Sequence, residues 1–415
     1  MTLRTAVVLA ALAAVVATAG CQKPEELMEF PRLDYNRPLP PGAQALRKVT
    51  DPSRLPDFTT ACAQPYRLRE AVDRSLSYLA KPSSQGAYPC CGITHGQAVR
   101  SLEYFRRLLD AKMAPARMNA AILQYFDVYE SVGCDMQGTV LMTCYYTPIF
   151  NGSPVPTETF RYPLYAKPPG LEKQPDGTPT QPWPDRRTLE TSGALAGLEL
   201  VYLADPFQTY VAQVQGSVKI RMPDGTLTTY GYTANNGHEY KSVREMLAAD
   251  GKIGPYDGLP EMIRYFAAHP DEVQTYTWRN PRFIFFAVIE DGRPRGCLNE
   301  PVTVGRTVAT DKSIFPPAAL GFIATDLPVQ RRGEVVFAPY RGFVLDQDAG
   351  GAIRAPGRCD LYLGVGDEAG ELAGRAKSEG RLYYLFLKSA AAPGDTAQPP
   401  PAAAAATPAG TQPRP

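Results

Sequence analysis

From Val302 to Leu387 the chain is a succession of short apolar segments broken by glycine or proline, interrupted by one helical pattern at about 367–377 that carries Ala369, Leu372 and Ala373. Short apolar runs bounded by turn formers read as strands, and this many in so little sequence point to a small β-barrel. Asp311, Asp348 and Asp360 lie in this stretch among glycines. The run Asp346-Gln347-Asp348-Ala349-Gly350-Gly351-Ala352-Ile353-Arg354 is a glycine-rich bend leading into Arg358-Cys359-Asp360-Leu361-Tyr362-Leu363-Gly364. Two carboxylates held close together repel each other's ionised forms, so one pKa rises and a general acid near neutral pH results. The same residues also suit plain structure, with Asp348 opening a turn and Asp360 ending a loop.

Upstream the patterns are helical. Leu68, Ala71, Val72, Leu76 and Leu79 share one face of a helix over about 67–80. Thr94 is a good N-cap for a second helix through Val99, Leu102, Phe105 and Leu109, and Pro115 opens a third running on to Val128-Tyr129. At Thr139 the character changes to strands: Val140 to Thr147 is β-branched and aromatic, and Pro148 ends it. A polar, proline-rich loop at 168–186 precedes strands expected at Val211–Met222 and Thr226–Tyr232, joined by a hairpin turn at Asp224-Gly225. Helices over Ser242–Asp250 and Pro260–Ala268 and a buried strand at Phe283–Val288 complete the pattern.

The 415 residues allow two or three domains, and a net charge of +1 gives no reason to expect nucleic acid as a partner. Arg4, the apolar run Ala6–Ala17 and Thr18-Ala19-Gly20-Cys21 make residues 1–21 a signal segment. It resembles a bacterial lipoprotein signal with Cys21 as the lipidated residue; a plain secretory signal with a chance cysteine is the alternative. Gln22 in place of an acidic residue favours an outer membrane, so the chain is expected to be lipid-anchored in the cell envelope and to face the periplasm. Residues 22–57 read as a proline-rich tether and 391–415 as a disordered Pro/Ala-rich tail. Seven cysteines follow Cys21, so at least one stays free unless it pairs between molecules. Cys90-Cys91 lacks zinc-ligand spacing and the histidines are scattered, so neither a metal nor another cofactor is expected.

Four polar clusters accompany the aspartates. Thr143-Cys144-Tyr145-Tyr146-Thr147 offers hydroxyls and aromatic faces suited to sugars, or merely alternates between core and surface. Val214-Gln215-Gly216-Ser217 is a polar interruption of an expected apolar strand, where a ligand could approach the backbone. Asn235-Asn236-Gly237-His238-Glu239-Tyr240 is a polar turn, equally explicable as a loop. Asp311 caps a turn in Thr310-Asp311-Lys312-Ser313, a structural role rather than a chemical one.

Together with Phe160-Arg161-Tyr162-Pro163-Leu164-Tyr165, Gly231-Tyr232 and Glu368-Ala369-Gly370, these clusters and the order Asp311, Asp348, Asp360 resemble the membrane-bound lytic murein transglycosylase A family over about 139–388. Cys144 stands where that family has glycine, and Asn235 where it has lysine. The resemblance implies a mainly β, α+β fold: a double-psi β-barrel formed by 58–147 and 284–390, and a second β-domain, 148–283, inserted into it, with a groove between them for peptidoglycan glycan strands. It implies Asp360 as the catalytic acid, Asp348 as its support, and Thr143, Tyr145, Gln215, Gly216, Ser217, Asn236, Gly237 and Tyr240 as substrate contacts. The implied reaction cleaves the bond between N-acetylmuramic acid and N-acetylglucosamine with closure of a 1,6-anhydro ring. A hydrolase using Asp348 and Asp360 as a pair, a non-catalytic wall-binding lipoprotein and a purely structural one are the alternatives.

Overall fold

The computed structural model describes residues 33–172, 179–255 and 257–388. The signal with Cys21, residues 22–32 of the expected tether, residues 173–178 of the polar loop and the tail at 391–415 lie outside them. No described helix is long and apolar enough to cross a membrane.

The folded part begins earlier than expected. β1 (Leu46–Lys48) pairs antiparallel with β2 (Phe126–Ser131), and Ala45 and Leu46 are buried. The tether therefore does not extend to residue 57: a three-residue edge strand among prolines has no periodicity to betray it. Next come α1 (Thr59–Cys62), α2 (Leu68–Leu79), α3 (His95–Asp110) and α4 (Pro115–Tyr125). α2 buries Leu68, Ala71, Val72, Ser75 and Leu79, the stripe that its spacing predicts. Thr94 caps α3 by accepting the Gln97 N–H at 3.2 Å. α4 stops at Tyr125, and Val128 and Tyr129 belong to β2. Phe126 and Val128 lie two residues apart on one strand face, and pairing with Leu387 and Leu385 of the last strand decides for the strand.

β3 (Val140–Thr147) leads into the insert: β4 (Ile149–Ser153), β5 (Tyr162–Tyr165), α5 (Arg186–Thr191), β6 (Glu199–Leu203), α6 (Pro206–Gln215), β7 (Ser217–Arg221), β8 (Leu227–Asn235), α7 (Val243–Ala249), α8 (Leu259–Ala268), α9 (Val273–Thr277) and β9 (Ile284–Val288). Its six-stranded sheet has the order β5-β6-β4-β7-β8-β9. Two expectations fail here. The stretch Val211–Gln215 is helical because Asp205 caps α6 through the Phe207 N–H at 2.7 Å and Pro206 opens it, which outweighs the β-branched valines. And β9 pairs with β8, Phe286 opposite Tyr232, so the insert runs through Val288 and does not end at residue 283. The Asp224-Gly225 turn is present, with Gly225 at φ +85°.

The chain then forms β10 (Thr307–Ala309), β11 (Leu320–Arg331), β12 (Glu334–Asp348), β13 (Arg358–Val365), α10 (Asp367–Arg375) and β14 (Lys377–Leu387). In the order β14-β11-β12-β10-β13-β3, with β3 pairing back onto β14, six strands close a barrel. β10–β12 and β13–β3 are parallel and the other pairs antiparallel, as a double-psi barrel requires. Phe58, Phe322 and Phe343 form its aromatic core, with centroids 4.9–5.7 Å apart. The seven described cysteines are all unpaired.

α10 joins barrel to insert. A Cβ on Gly370 would lie 2.7 Å from the Tyr146 ring, and one on Gly374 2.6 Å from Pro260 at the start of α8. Gly370→Ala is therefore expected to destabilise the protein by about 1–3 kcal/mol through overpacking against a buried ring, although alanine is the better helix former by about 1 kcal/mol. Denaturant unfolding decides the sign: a stabilised variant would mean that Tyr146 yields freely.

Candidate active site

The parallel register of β13 and β3 sets Asp360 opposite Thr143 and Tyr362 opposite Tyr145. Thr143 Oγ1 donates to Asp360 Oδ1 at 2.9 Å. β10 runs along the other side of β13, where Ala309 faces Asp360; on its far edge the same Ala309 faces Asp348 of β12. One small residue thus stands between the two carboxylate-bearing strands. The register of β10 on β12 jumps from Val308↔Asp346 to Ala309↔Asp348, so Gln347 is the extra residue of a bulge, a device that re-aims the next side chain. Gln347 is locked there. Its Nε2 donates to Ala71 O and Ser75 Oγ of α2 at 2.8 and 3.0 Å, and its Oε1 accepts from Thr307 Oγ1 at 2.7 Å.

Asp348 is held by three donors: the Tyr145 hydroxyl at 2.6 Å, the Cys297 N–H at 2.9 Å and its own Ala349 N–H at 2.8 Å. Gly296 lets the Cys297 backbone come so near, since a Cβ there would sit 2.5 Å from Gln347 O and 3.1 Å from the Asp348 carboxyl carbon. Burial pushes the Asp360 pKa up to about 6; the Asp348 charge adds to the rise, while the Thr143 hydrogen bond and the Arg358 charge oppose it. Burial raises Asp348 too, against the pull of Tyr145, the two N–H donors and the Lys312 charge. Three donors favour the charged form more than one does, so Asp348 is the carboxylate and Asp360 holds the proton longer.

A buried ion pair lies just behind. Asp346 is fully buried, pairs with Lys312, and accepts from Tyr384 OH at 2.6 Å and Thr310 Oγ1 at 2.8 Å. Asp311 caps its turn, accepting from Ser313 N at 3.1 Å and Ser313 Oγ at 2.6 Å, and also holds Ala355 N at 3.0 Å.

The other polar clusters divide. Gln215 Oε1 accepts the Tyr146 N–H at 3.2 Å, and the buried Ser217 hydroxyl shares a hydrogen bond with Thr147 at 2.9 Å. Thr147 also meets Tyr362 OH at 3.0 Å. Gly216, at φ +73°, ends α6 between them. These residues tie the insert to β3; Ser217 does not present a free hydroxyl to a ligand. Asn236 is likewise turned inward. It is fully buried, its Nδ2 donating to Pro184 O and Pro281 O at 2.9 and 2.8 Å and its Oδ1 accepting from Phe283 N at 2.8 Å. A polar turn in sequence does not tell whether its amide faces out or closes the loop on itself. Gly237, at φ +86°, lies against Pro179 and Pro182. Tyr240 does reach the barrel: a Cβ on Gly351 would lie 3.4 Å from the Tyr240 Cβ and 3.3 Å from Arg282 Nε.

The sequence reading missed Tyr362, Arg358, the Cys297 N–H and the Lys312–Asp346 pair. Arg358 and Tyr362 lie two residues either side of Asp360, on its face of the strand, and could have been found so; a backbone donor 51 positions from Asp348 could not. An open charged hollow of about 650 Å³, lined by Arg67, Arg69, Arg74, Asp73 and Arg293 among others, includes none of the aspartate-site residues.

Two family models match: the MltA specific insert domain at 141–287 and the 3D domain at 306–386. Membrane-bound lytic murein transglycosylase A of Escherichia coli K12 is 30% identical over 264 residues, 62% of this chain and 69% of that one. A membrane-bound lytic murein transglycosylase from Agrobacterium tumefaciens superposes with a TM-score of 0.69 at 26% identity, covering 84% of this chain and 99% of that one. The Escherichia coli MltA structure with bound chitohexaose superposes with a TM-score of 0.62 at 22% identity, covering 86% and 96%. The chain belongs to the membrane-bound lytic murein transglycosylase A family.

A raised carboxyl pKa costs stability once the group ionises. Asp360 is protonated in both folded and unfolded chains below about pH 4, while above about pH 6 the folded chain must hold a buried charge. Asp360→Asn is expected to be more stable than the parent by about 1–3 kcal/mol at pH 7.5 and no more stable near pH 3.5. Thermal melts at the two pH values test this. Lys312→Met leaves Asp346 charged and unpaired in the core and is expected to cost about 3–5 kcal/mol, read by urea unfolding.

Proposed function

We propose that the protein is a lytic transglycosylase of peptidoglycan in which Asp360 serves as acid and then as base. The supporting observation is the unequal pair: a half-buried Asp360 with one hydrogen-bond donor and a pKa pushed up to about 6, beside an Asp348 saturated with three. Asp360 protonates the glycosidic oxygen, and N-acetylglucosamine leaves with its O4 hydroxyl restored. The resulting carboxylate takes the proton from the muramic acid 6-hydroxyl as that oxygen bonds to C1, closing the 1,6-anhydro ring. The internal hydroxyl is already at high effective concentration, so no second carboxylate is needed to activate water. Asp348 raises the acid's pKa by its charge and is fixed by Tyr145; Thr143 stabilises the Asp360 carboxylate in the second step. The glycan runs between barrel and insert, past Tyr145 and the Tyr240–Gly351 approach, while Gln215, Gly216 and Ser217 hold the insert in place. Lipidation at Cys21 tethers the enzyme to the outer membrane, facing the periplasm. A two-carboxylate hydrolase fits less well, because a carboxylate with three donors is a poor base or nucleophile.

Digestion of purified murein sacculi by the chain lacking residues 1–21, read by mass spectrometry, is expected to release anhydro muropeptides, and Asp360→Asn to release none. Ordinary reducing ends would establish the hydrolase; binding without products would establish a wall-binding module.

The pH profile carries a second test. Activity is expected to fall as pH rises through about 6, where the acid loses its proton. Asp348→Asn removes a charge that raises the acid's pKa and should move that limb to lower pH. Thr143→Val removes a hydrogen bond that lowers it and should move the limb to higher pH. Limbs that move together, or not at all, would show that Asp360 is not the titrating acid.

A further inference from the structure

β13 carries a cation on the face that bears Asp360. Side chains two apart on a strand point the same way, about 7 Å apart along it, and Arg358 precedes Asp360 by two in the regular register of β13 on β3. Its Nη1 donates to Asn36 Oδ1 at 3.2 Å. Its Nε is buried without a hydrogen-bond partner among the described residues, and no described carboxylate forms an ion pair with it. A buried guanidinium nitrogen left unpaired is costly, and Nε together with Nη2 makes the fork that takes a carboxylate through two parallel hydrogen bonds. The groups that bear on it electrostatically are Asp360, the Cys359 thiol, and Tyr240 and Glu245 of the insert. Two further arginines flank the glycine bend: Arg282 against Gly351, and Arg354, exposed and 3.9 Å from Asp311.

We propose that Arg358 is a specificity-determining residue that receives the free carboxylate of the lactyl ether on the muramic acid whose glycosidic bond Asp360 protonates. The inference rests on the transglycosylase reading above. On that sugar the lactyl group is the one acidic substituent, and it lies on the ring being cut, within the short reach separating Arg358 from Asp360. It carries a charge only where the peptide stem has been removed; where the stem is attached, the same carbon is a neutral amide that cannot form the charged fork. The enzyme therefore favours glycan stripped of peptide over glycan that retains it.

The test uses one preparation of peptide-free glycan strands, half of it with the lactyl carboxylates converted to methyl amides. The parent enzyme is expected to cleave the free-acid strands with kcat/KM about 10- to 100-fold higher, mainly through KM. Arg358→Gln is expected to lose that preference, Arg358→Lys to keep part of it, and both to bind chitohexaose, which has no lactyl group, as the parent does. No preference in the parent, or a preference that survives in Arg358→Gln, would overturn the proposal. So would an equal loss of chitohexaose binding, or an Arg358→Gln effect confined to the pH profile, since either would make Arg358 a structural or electrostatic support. Absence of anhydro ends from both strand types would instead sink the transglycosylase reading itself.

Discussion

β3 is the strand on which the rest depends. It pairs parallel with β13 and antiparallel with β14, and so closes the barrel. It also runs straight into the insert through Pro148. Three consequences follow from that one position. Thr143 meets Asp360, the Tyr145 hydroxyl meets Asp348, the Tyr146 N–H donates to Gln215 of the insert, and Thr147 shares a hydroxyl hydrogen bond with Ser217. Barrel closure, acid placement and domain attachment therefore share eight residues, and a shift of β3 by one position would turn every one of these side chains to the opposite face.

The two carboxylates show how neighbours divide a task between like groups. Both are driven toward the neutral form by burial, and the Asp348 charge raises Asp360 further. What separates them is the count of donors. The bulge at Gln347, pinned to α2, presents Asp348 to Tyr145 and to the Cys297 backbone, whereas Asp360 on its regular strand receives only Thr143. Asymmetry in hydrogen bonding, with burial roughly common to both, selects which carboxylate carries the proton.

Much of this was legible in the residues. The helical stripe of α2, the Thr94 cap, the strand Val140–Thr147 and the Asp224-Gly225 hairpin each rest on a local signal, and local signals survive folding. The glycine-bounded Asp348 and Asp360 do come together across Ala309, because the chain must bend sharply between their two strands. What stayed hidden depends on partners far apart in sequence. β1 gains its strand character from β2, β9 belongs to the insert because β8 is there to receive it, and the Cys297 N–H reaches Asp348 from a loop with no distinguishing composition. Asn236 is the instructive case. Polarity in a turn is compatible with ligand binding and with a loop that satisfies its own backbone, and the sequence holds nothing that separates the two.

The insert and the strands β10, β11 and β12 together separate β3 from β13 by more than two hundred residues, since Thr143 and Asp360 are 217 positions apart. A chain made from its N-terminus presents β3 long before the strand that completes it. Until β13 arrives, that strand has an open edge, the barrel has no closure and the acid is absent. With Asp360 as the proposed acid, the chain has no cutting power before β13 is made. For an enzyme whose proposed substrate is the wall that encloses the cell, the order of its strands is itself a safeguard in time: the proposed acid arrives only after the insert and most of the barrel strands.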